Sequence, residues 1–287
     1  MTEAFFKVEG LTKLFPSGFP ACKTQDALAY LGAGMSREEL KTKHNMLAAV
    51  QDVSFEVQQG ECLALIGLSG SGKSTILRCL NRLQEPTAGK VFFRGEDVTA
   101  YNKKQLLNFR QKHVAMVFQN LGLMTHRSVL DNVCYGLEVQ GMPQAERYEK
   151  GKAMLELVGL SGWEEENVER LSGGMKQRVG LARALACEPD ILLMDEAFSA
   201  LDPLVRNDLQ FELLCIQEKM SKTIIFITHD IDEAFKLGNR VGILRDGRLI
   251  QLASPEAMLA HPADDYVRKF IHNVDSSKVV SITNIME

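Results

Sequence analysis

Residues 67–74 read Gly-Leu-Ser-Gly-Ser-Gly-Lys-Ser, and they follow directly on the apolar run Cys62-Leu63-Ala64-Leu65-Ile66. No other segment restricts the fold as much. The run suits a strand covered by helices on both faces, as in a parallel sheet. After such a strand, the spacing G-x-x-x-x-G-K-[ST] is that of a phosphate-cradling loop. Gly67, Gly70 and Gly72 let the backbone wrap closely, so that successive amides, those of Ser69 and Ser71 included, can point at phosphate oxygens. A helix opening around Thr75 offers its positive end to the same anion. Lys73 brings a compact positive charge to the outer phosphates, and the Ser74 hydroxyl is a ligand for Mg²⁺. By itself the loop indicates a nucleotide and leaves the class of nucleotide protein open.

The rest of the chain reads as an α/β fold with a mostly parallel sheet. Phe6 and Val8, then Val53, Phe55 and Val57, alternate with polar or small neighbours, as half-buried strands do. Between them, about 16–49, Ser36-Arg37-Glu38-Glu39 matches a capping box and predicts one or two short inserted helices. A helix is expected from Thr75 to about Leu83, closed off by Pro86 and Gly89. Ile191–Met194 and Thr223–Ile227 repeat the buried-strand pattern, and the alternation of strands with helical stretches builds the parallel sheet. About 120–185, helical periodicity without a comparable strand predicts an inserted helical subdomain.

With 287 residues and 45% hydrophobic content, there is material for one large domain or a core with an insert. The formal charge of -4, with basic residues scattered, argues against a nucleic-acid partner, which needs a clustered basic face. Six dispersed cysteines without a Cys-x-x-Cys pair suit reduced thiols. The N-terminus has no signal-peptide pattern, and no apolar run reaches the ~18 residues of a membrane helix, so a soluble, cytoplasmic protein is expected.

Two further segments bear on chemistry. In Leu171-Ser172-Gly173-Gly174-Met175-Lys176-Gln177, Ser172 can cap a helix whose apolar positions Met175, Val179, Ala182 and Leu185 keep the 3.6 period. Gly173 and Gly174 leave amides of its first turn open to an anion, although many capped helices bind nothing. The strand Ile191–Met194 ends in Asp195-Glu196, a pair of carboxylates suited to Mg²⁺ and to polarising an attacking water.

In their order, the phosphate loop, Gln119, Leu171–Gln177, Ile191–Glu196, Ser199-Ala200-Leu201-Asp202 and His229 resemble the motifs of ABC-type ATPases from about 50 to 250. The resemblance implies a P-loop NTPase (RecA-like) core, an N-terminal antiparallel β subdomain and the inserted helical subdomain. The ATPase domain would span 1–275, followed by a tail at 276–287. It further implies ATP and Mg²⁺ as cofactors, with Ser74, Gln119 and Asp195 around the metal. Glu196 would activate water, Gln119 would sense the γ-phosphate and Mg²⁺, and His229 would contact the γ-phosphate. Asp202 would help couple two sites, and Phe15 is the best match for the aromatic that stacks on adenine. Two subunits would sandwich each ATP, so that Ser172, Gly173 and Gly174 act on nucleotide held by the partner.

The long segment after Phe15 is similar to the insert of ATPases from glycine betaine/proline (quaternary-amine) uptake systems. Met116–Gln119, Leu123–His126, Asp131-Asn132, Met194–Leu204 and Asp265–Val267 match as well. That likeness implies a homodimer on two copies of a membrane permease, served indirectly by a capture protein, at the cytoplasmic face of the bacterial inner membrane. Many such ATPases continue into CBS domains, which this sequence does not contain. Amino-acid or trimethylamine N-oxide import, a soluble ABC protein of DNA repair or translation, and a catalytically dead module are the competing readings.

Overall fold

The computed structural model describes residues 4–199 and 201–272, so Ala200, the expected domain end at 275 and the tail 276–287 lie outside the described residues. Along the chain run β1 (Phe6–Pro16), α1 (Thr24–Gly32), α2 (Arg37–His44), β2 (Met46–Val57), β3 (Cys62–Ile66), α3 (Lys73–Leu80), β4 (Ala88–Phe93) and β5 (Glu96–Asp97). Next come α4 (Lys103–Lys112), β6 (Val114–Phe118), α5 (Val129–Val139), α6 (Gln144–Leu157), α7 (Gly173–Ala186), β7 (Ile191–Asp195) and α8 (Pro203–Met220). Last are β8 (Thr223–Thr228), α9 (Ile231–Leu237), β9 (Arg240–Arg245), β10 (Arg248–Ala253), α10 (Pro255–Ala260) and α11 (Asp265–Ile271). The chain divides into two compact units. One holds the residues up to 58, 63–101 and those from 229 onwards; the other holds 59–62 and 102–228.

In the first unit β2, β1, β4 and β5 form an antiparallel sheet in that order. The register sets Phe6 opposite Val57 and Val8 opposite Phe55. All four are buried, because a period of two sends alternate residues to one face. From Leu63 onward β3 runs parallel to β9, and β10 returns antiparallel to β9 through Asp246-Gly247. Both turn residues have positive φ, as a tight hairpin requires.

The insert forms two helices. Ser36 Oγ accepts from the Glu39 amide while the Glu39 carboxylate accepts from the Ser36 amide, so the expected capping box is present. Its Glu39 carboxyl is held down at about 2, chiefly by the hydrogen bond from Lys43. Its span differs from the sequence expectation of 16–49. β1 continues to Pro16 and β2 already begins at Met46, which leaves 17–45. The cause lies in Met46, Ala48, Ala49 and Val50, all buried, which hide the strand alternation in an apolar run. Leu31 and Leu40 pack with Leu14, Met46 and Ala48 in a small core of their own. Leu40 is wholly buried there. Leu40→Ala should therefore lower unfolding stability by about 2–5 kcal/mol, read from urea denaturation. A loss under half a kcal/mol would mean that the insert is not part of the cooperative unit.

In the second unit β6, β7 and β8 are parallel, with Phe118 opposite Asp195 and Asp195 opposite Ile227. β7 and β8 are buried along their whole length, as strands covered on both faces are. Helices α5, α6 and α7 pack on one another. Between 120 and 185 the described residues hold helices, turns and a single isolated bridge, Ser128 to Asn167. All six cysteines are free thiols. Burial pushes Cys79 up to about 12 and Cys134 to about 11, which makes both poor nucleophiles.

Candidate nucleotide site

The loop from Gly67 to Gly72 joins β3 to α3, which begins at Lys73, two residues earlier than its sequence predicts. Ser74 and Thr75 therefore sit in its first turn. No side chain caps this helix, whose N-cap is Gly72. Gly72 has a φ of 100°, and a Cβ there would strike the carbonyl oxygen of Ala49. A Cβ on Gly67 would strike that of Leu244. Main chain from β2 and β9 thus presses on the loop at both ends, and only glycine fits.

Lys73 is buried, and its Nζ donates to the carbonyls of Gly67 at 2.7 Å and Leu68 at 3.2 Å. Ser69 and Gly70 are exposed on the loop. Ser71 is 5% exposed, yet its Oγ has no hydrogen-bond partner among the described residues. A buried hydroxyl left so costs about 1–3 kcal/mol, which a phosphate oxygen accepting from it would remove. An orphaned hydroxyl in a glycine-lined loop at a helix start fits a polyphosphate. Phe15 lies opposite Leu47, two residues before Ala49, so β1 carries it towards the same loop. Its ring is half-buried with the Lys13 ammonium 4.9 Å from its centre.

In the second unit Asp195 closes β7 and is buried, and Glu196 follows it with a φ of 48°. Left-handed backbone in a residue with a Cβ costs on the order of 1–3 kcal/mol and concentrates at functional sites. The turn is held by the Glu196 amide, which donates to Ile227 of β8 at 3.0 Å. The pairing of Phe118 with Asp195 brings the next residue on each strand, Gln119 and Glu196, to the same end of the sheet. Ser199 joins them. Gln119 Nε2 donates to Ser199 Oγ at 3.3 Å, and Ser199 Oγ donates to the Glu196 carbonyl at 2.9 Å. Sequence reasoning placed Ser199 in a motif but gave it no such link.

Ser172 caps α7, its Oγ accepting from the Met175 amide at 3.3 Å. Asp202 caps α8 by accepting from the Val205 amide at 3.1 Å. The two helix starts meet: a Cβ on Gly174 would strike Val205, so packing alone demands glycine there. Gly173 differs, since the nearest atom to its missing Cβ, on Leu201, is 4.0 Å away. Ser172, Gly173 and Asp202 are all exposed. His229 follows β8 directly and is exposed too. Sequence reasoning also missed the anchoring of the loop after Gln119. Arg183 of α7 donates to the carbonyls of Gly122, at 3.0 Å, and of Leu121. Asn132, wholly buried in α5, accepts from the Met124 amide at 2.8 Å and donates to its carbonyl at 3.0 Å. A buried asparagine on an otherwise apolar helix face was the available signal.

Ser74 in the first unit, and Gln119 and Asp195 in the second, each carry a hard oxygen donor of the type that Mg²⁺ takes. Among the described residues, no cluster of three or more His, Cys, Asp or Glu stands ready for another metal.

A family profile described as ABC transporter matches residues 50–199. The glycine betaine/carnitine transport ATP-binding protein of Listeria monocytogenes is 52% identical over 98% of this chain and 69% of its own length. The glycine betaine transport ATP-binding protein of Bacillus subtilis is 48% identical over 98% of this chain and 66% of its own. The chain thus spans about two thirds of the length of these relatives. Among solved structures, an ATP-binding cassette dimer in a post-hydrolysis state with ADP and Pi superposes with a TM-score of 0.72. It is 28% identical and covers 87% of this chain and 98% of that one. The chain belongs to the ABC transporter family and is an ATP-binding subunit of the kind that hydrolyses ATP to drive transport.

Proposed function

We propose that the chain is the ATP-hydrolysing motor of an importer for quaternary amines such as glycine betaine, carnitine or choline. The observation that carries the motor reading is the contrast between Gly174 and Gly173. Among the described residues nothing comes closer than 4.0 Å to a Cβ at 173, so the open surface over Ser172 and Gly173 suits a nucleotide held by a second copy. Each member of the pair would bind ATP on its phosphate loop, with Lys73 and Ser74 on the outer phosphates and Mg²⁺ and Phe15 against the base. Asp195 would complete the Mg²⁺ shell, Gln119 and His229 would meet the γ-phosphate, and Glu196 would polarise the water. Asp202, beside the Ser172 turn, would relate one site to the other.

The substrate class rests on likeness to ATP-binding proteins of glycine betaine/carnitine, glycine betaine/proline betaine and choline transport. No helix among the described residues is long and apolar enough to cross a membrane. Transport therefore needs membrane partners: two permease copies and, indirectly, a capture protein, with this subunit on the cytoplasmic face. The loop after Gln119 is the surface proposed to grip them. The test is to isolate the chain with its membrane partner and measure capture-protein affinity across glycine betaine, proline betaine, choline, carnitine and trimethylamine N-oxide. Binding of at least one, with ATP turnover stimulated by the loaded capture protein, is expected. Indifference to the whole panel removes the substrate class and leaves the ATPase standing.

A further inference from the structure

The insert does more than pack on β1 and β2, because its second helix reaches the phosphate loop. Arg37, the first residue of α2, donates from Nη2 to the carbonyl oxygen of Gly70 at 3.2 Å. Its Nη1 lies 3.9 Å from Oδ1 of Asp246 in the β9–β10 turn. That turn holds the loop as well, since the Gly247 amide donates to the Ser71 carbonyl at 3.1 Å while the Gly247 carbonyl accepts from Gln51 at 2.7 Å. Two adjacent carbonyls of the loop, Gly70 and Ser71, are thus fixed from outside, one by the insert and one by the hairpin. Gly70 has a φ of 77°, a left-handed backbone that glycine adopts at little cost.

We infer that Arg37 is a positioning residue of the nucleotide site, through which the insert holds the phosphate loop in its ATP-binding shape. The argument is one of preorganisation. A glycine-rich loop is entropically costly to order, and a binding site gains affinity when that cost is met before the ligand arrives. Arg37 suits the task because its own backbone is fixed. The Ser36–Glu39 capping box sets the turn around it, and Leu40 pins α2 to the core three residues on. The side chain is mostly covered, with 23% of it exposed. Its planar fork spans a carbonyl and a carboxylate at once, which an ammonium does less well. The positive charge on the loop also favours the arrival of a polyanion.

This inference rests on the reading that ATP occupies the loop, and the test separates the two. Binding of a fluorescent ATP analogue with Mg²⁺ is measured on the full chain for the unaltered protein, Arg37→Ala, Arg37→Lys and Lys41→Ala. Lys41→Ala removes one positive charge from an exposed position of the same helix. Arg37→Ala is expected to raise the Kd about fivefold to tenfold, the worth of one ordinary hydrogen bond, because Arg37 acts on the ligand only through the loop. Arg37→Lys should recover part of that loss, and Lys41→Ala should bind as the unaltered chain does. In turnover assays the Arg37→Ala effect should appear in KM before kcat. An Arg37→Ala Kd within twofold of the unaltered chain overturns the inference. A loss matched by Lys41→Ala also overturns it, by assigning the effect to net charge. No binding by the unaltered chain refutes the ATP reading itself.

Discussion

Glu196→Gln is expected to bind MgATP about as tightly as the unaltered chain and to turn it over about 10²–10⁴-fold more slowly, the usual share of a general base. The substitution keeps the shape and the backbone and removes the charge. The left-handed turn at 196 is held by main-chain contacts to Ile227 and by Ser199 Oγ on the 196 carbonyl. None of these uses the carboxylate, so the turn survives the change. With hydrolysis stalled and binding intact, the paired state should persist, and size-exclusion chromatography with ATP should show a dimer that the unaltered chain forms only transiently. Turnover at the unaltered rate would end the assignment of Glu196.

Lys73→Ala should fail one step earlier. The Lys73 ammonium is buried and spans the Gly67 and Leu68 carbonyls. A charged group making such bonds is worth about 1.5–3 kcal/mol, so ATP affinity should fall about tenfold to 150-fold by calorimetry. The same change removes a donor from the Gly67 and Leu68 carbonyls, of which Leu68 keeps the Ser71 amide. Some loss of thermal stability without ligand is expected with it, which a melting curve records separately. Affinity unchanged by Lys73→Ala would refute the placement of the outer phosphates. The two variants divide cleanly: one binds without turning over, the other is deprived of binding.

Much of this was legible in the chain because its most constraining residues are local. The phosphate loop needs only a strand, a glycine-rich turn and a lysine, all within residues 62–74, and spacing alone records them. The caps at Ser172 and Ser36 were legible for the same reason, since a cap is a contact over three residues. Contacts that join distant segments were not. Nothing in the sequence sets Arg37 beside Gly70, 33 positions away, or Ser199 beside Gln119, 80 positions away. Register in the sheet creates the second and packing of the insert the first. The start of β2 was misjudged because a strand buried on both faces loses the alternation that reveals it. The strain at Glu196 was illegible too, as it is imposed by the β8 neighbour and not by the residue's own preference.

Arg183 has a mechanical consequence. It ties the segment after Gln119 to the same helix whose first turn carries Ser172 and Gly173. Eleven residues of α-helix separate Arg183 from Ser172, about 16 Å along a stiff rod. A force applied to that segment by anything docked on it is delivered to the far end of α7 as displacement, with little lost in bending. In such a load path the helix would act as a pushrod: its short input arm is the pair of carbonyls bonded to Arg183, and its output is the exposed turn at Ser172 and Gly173.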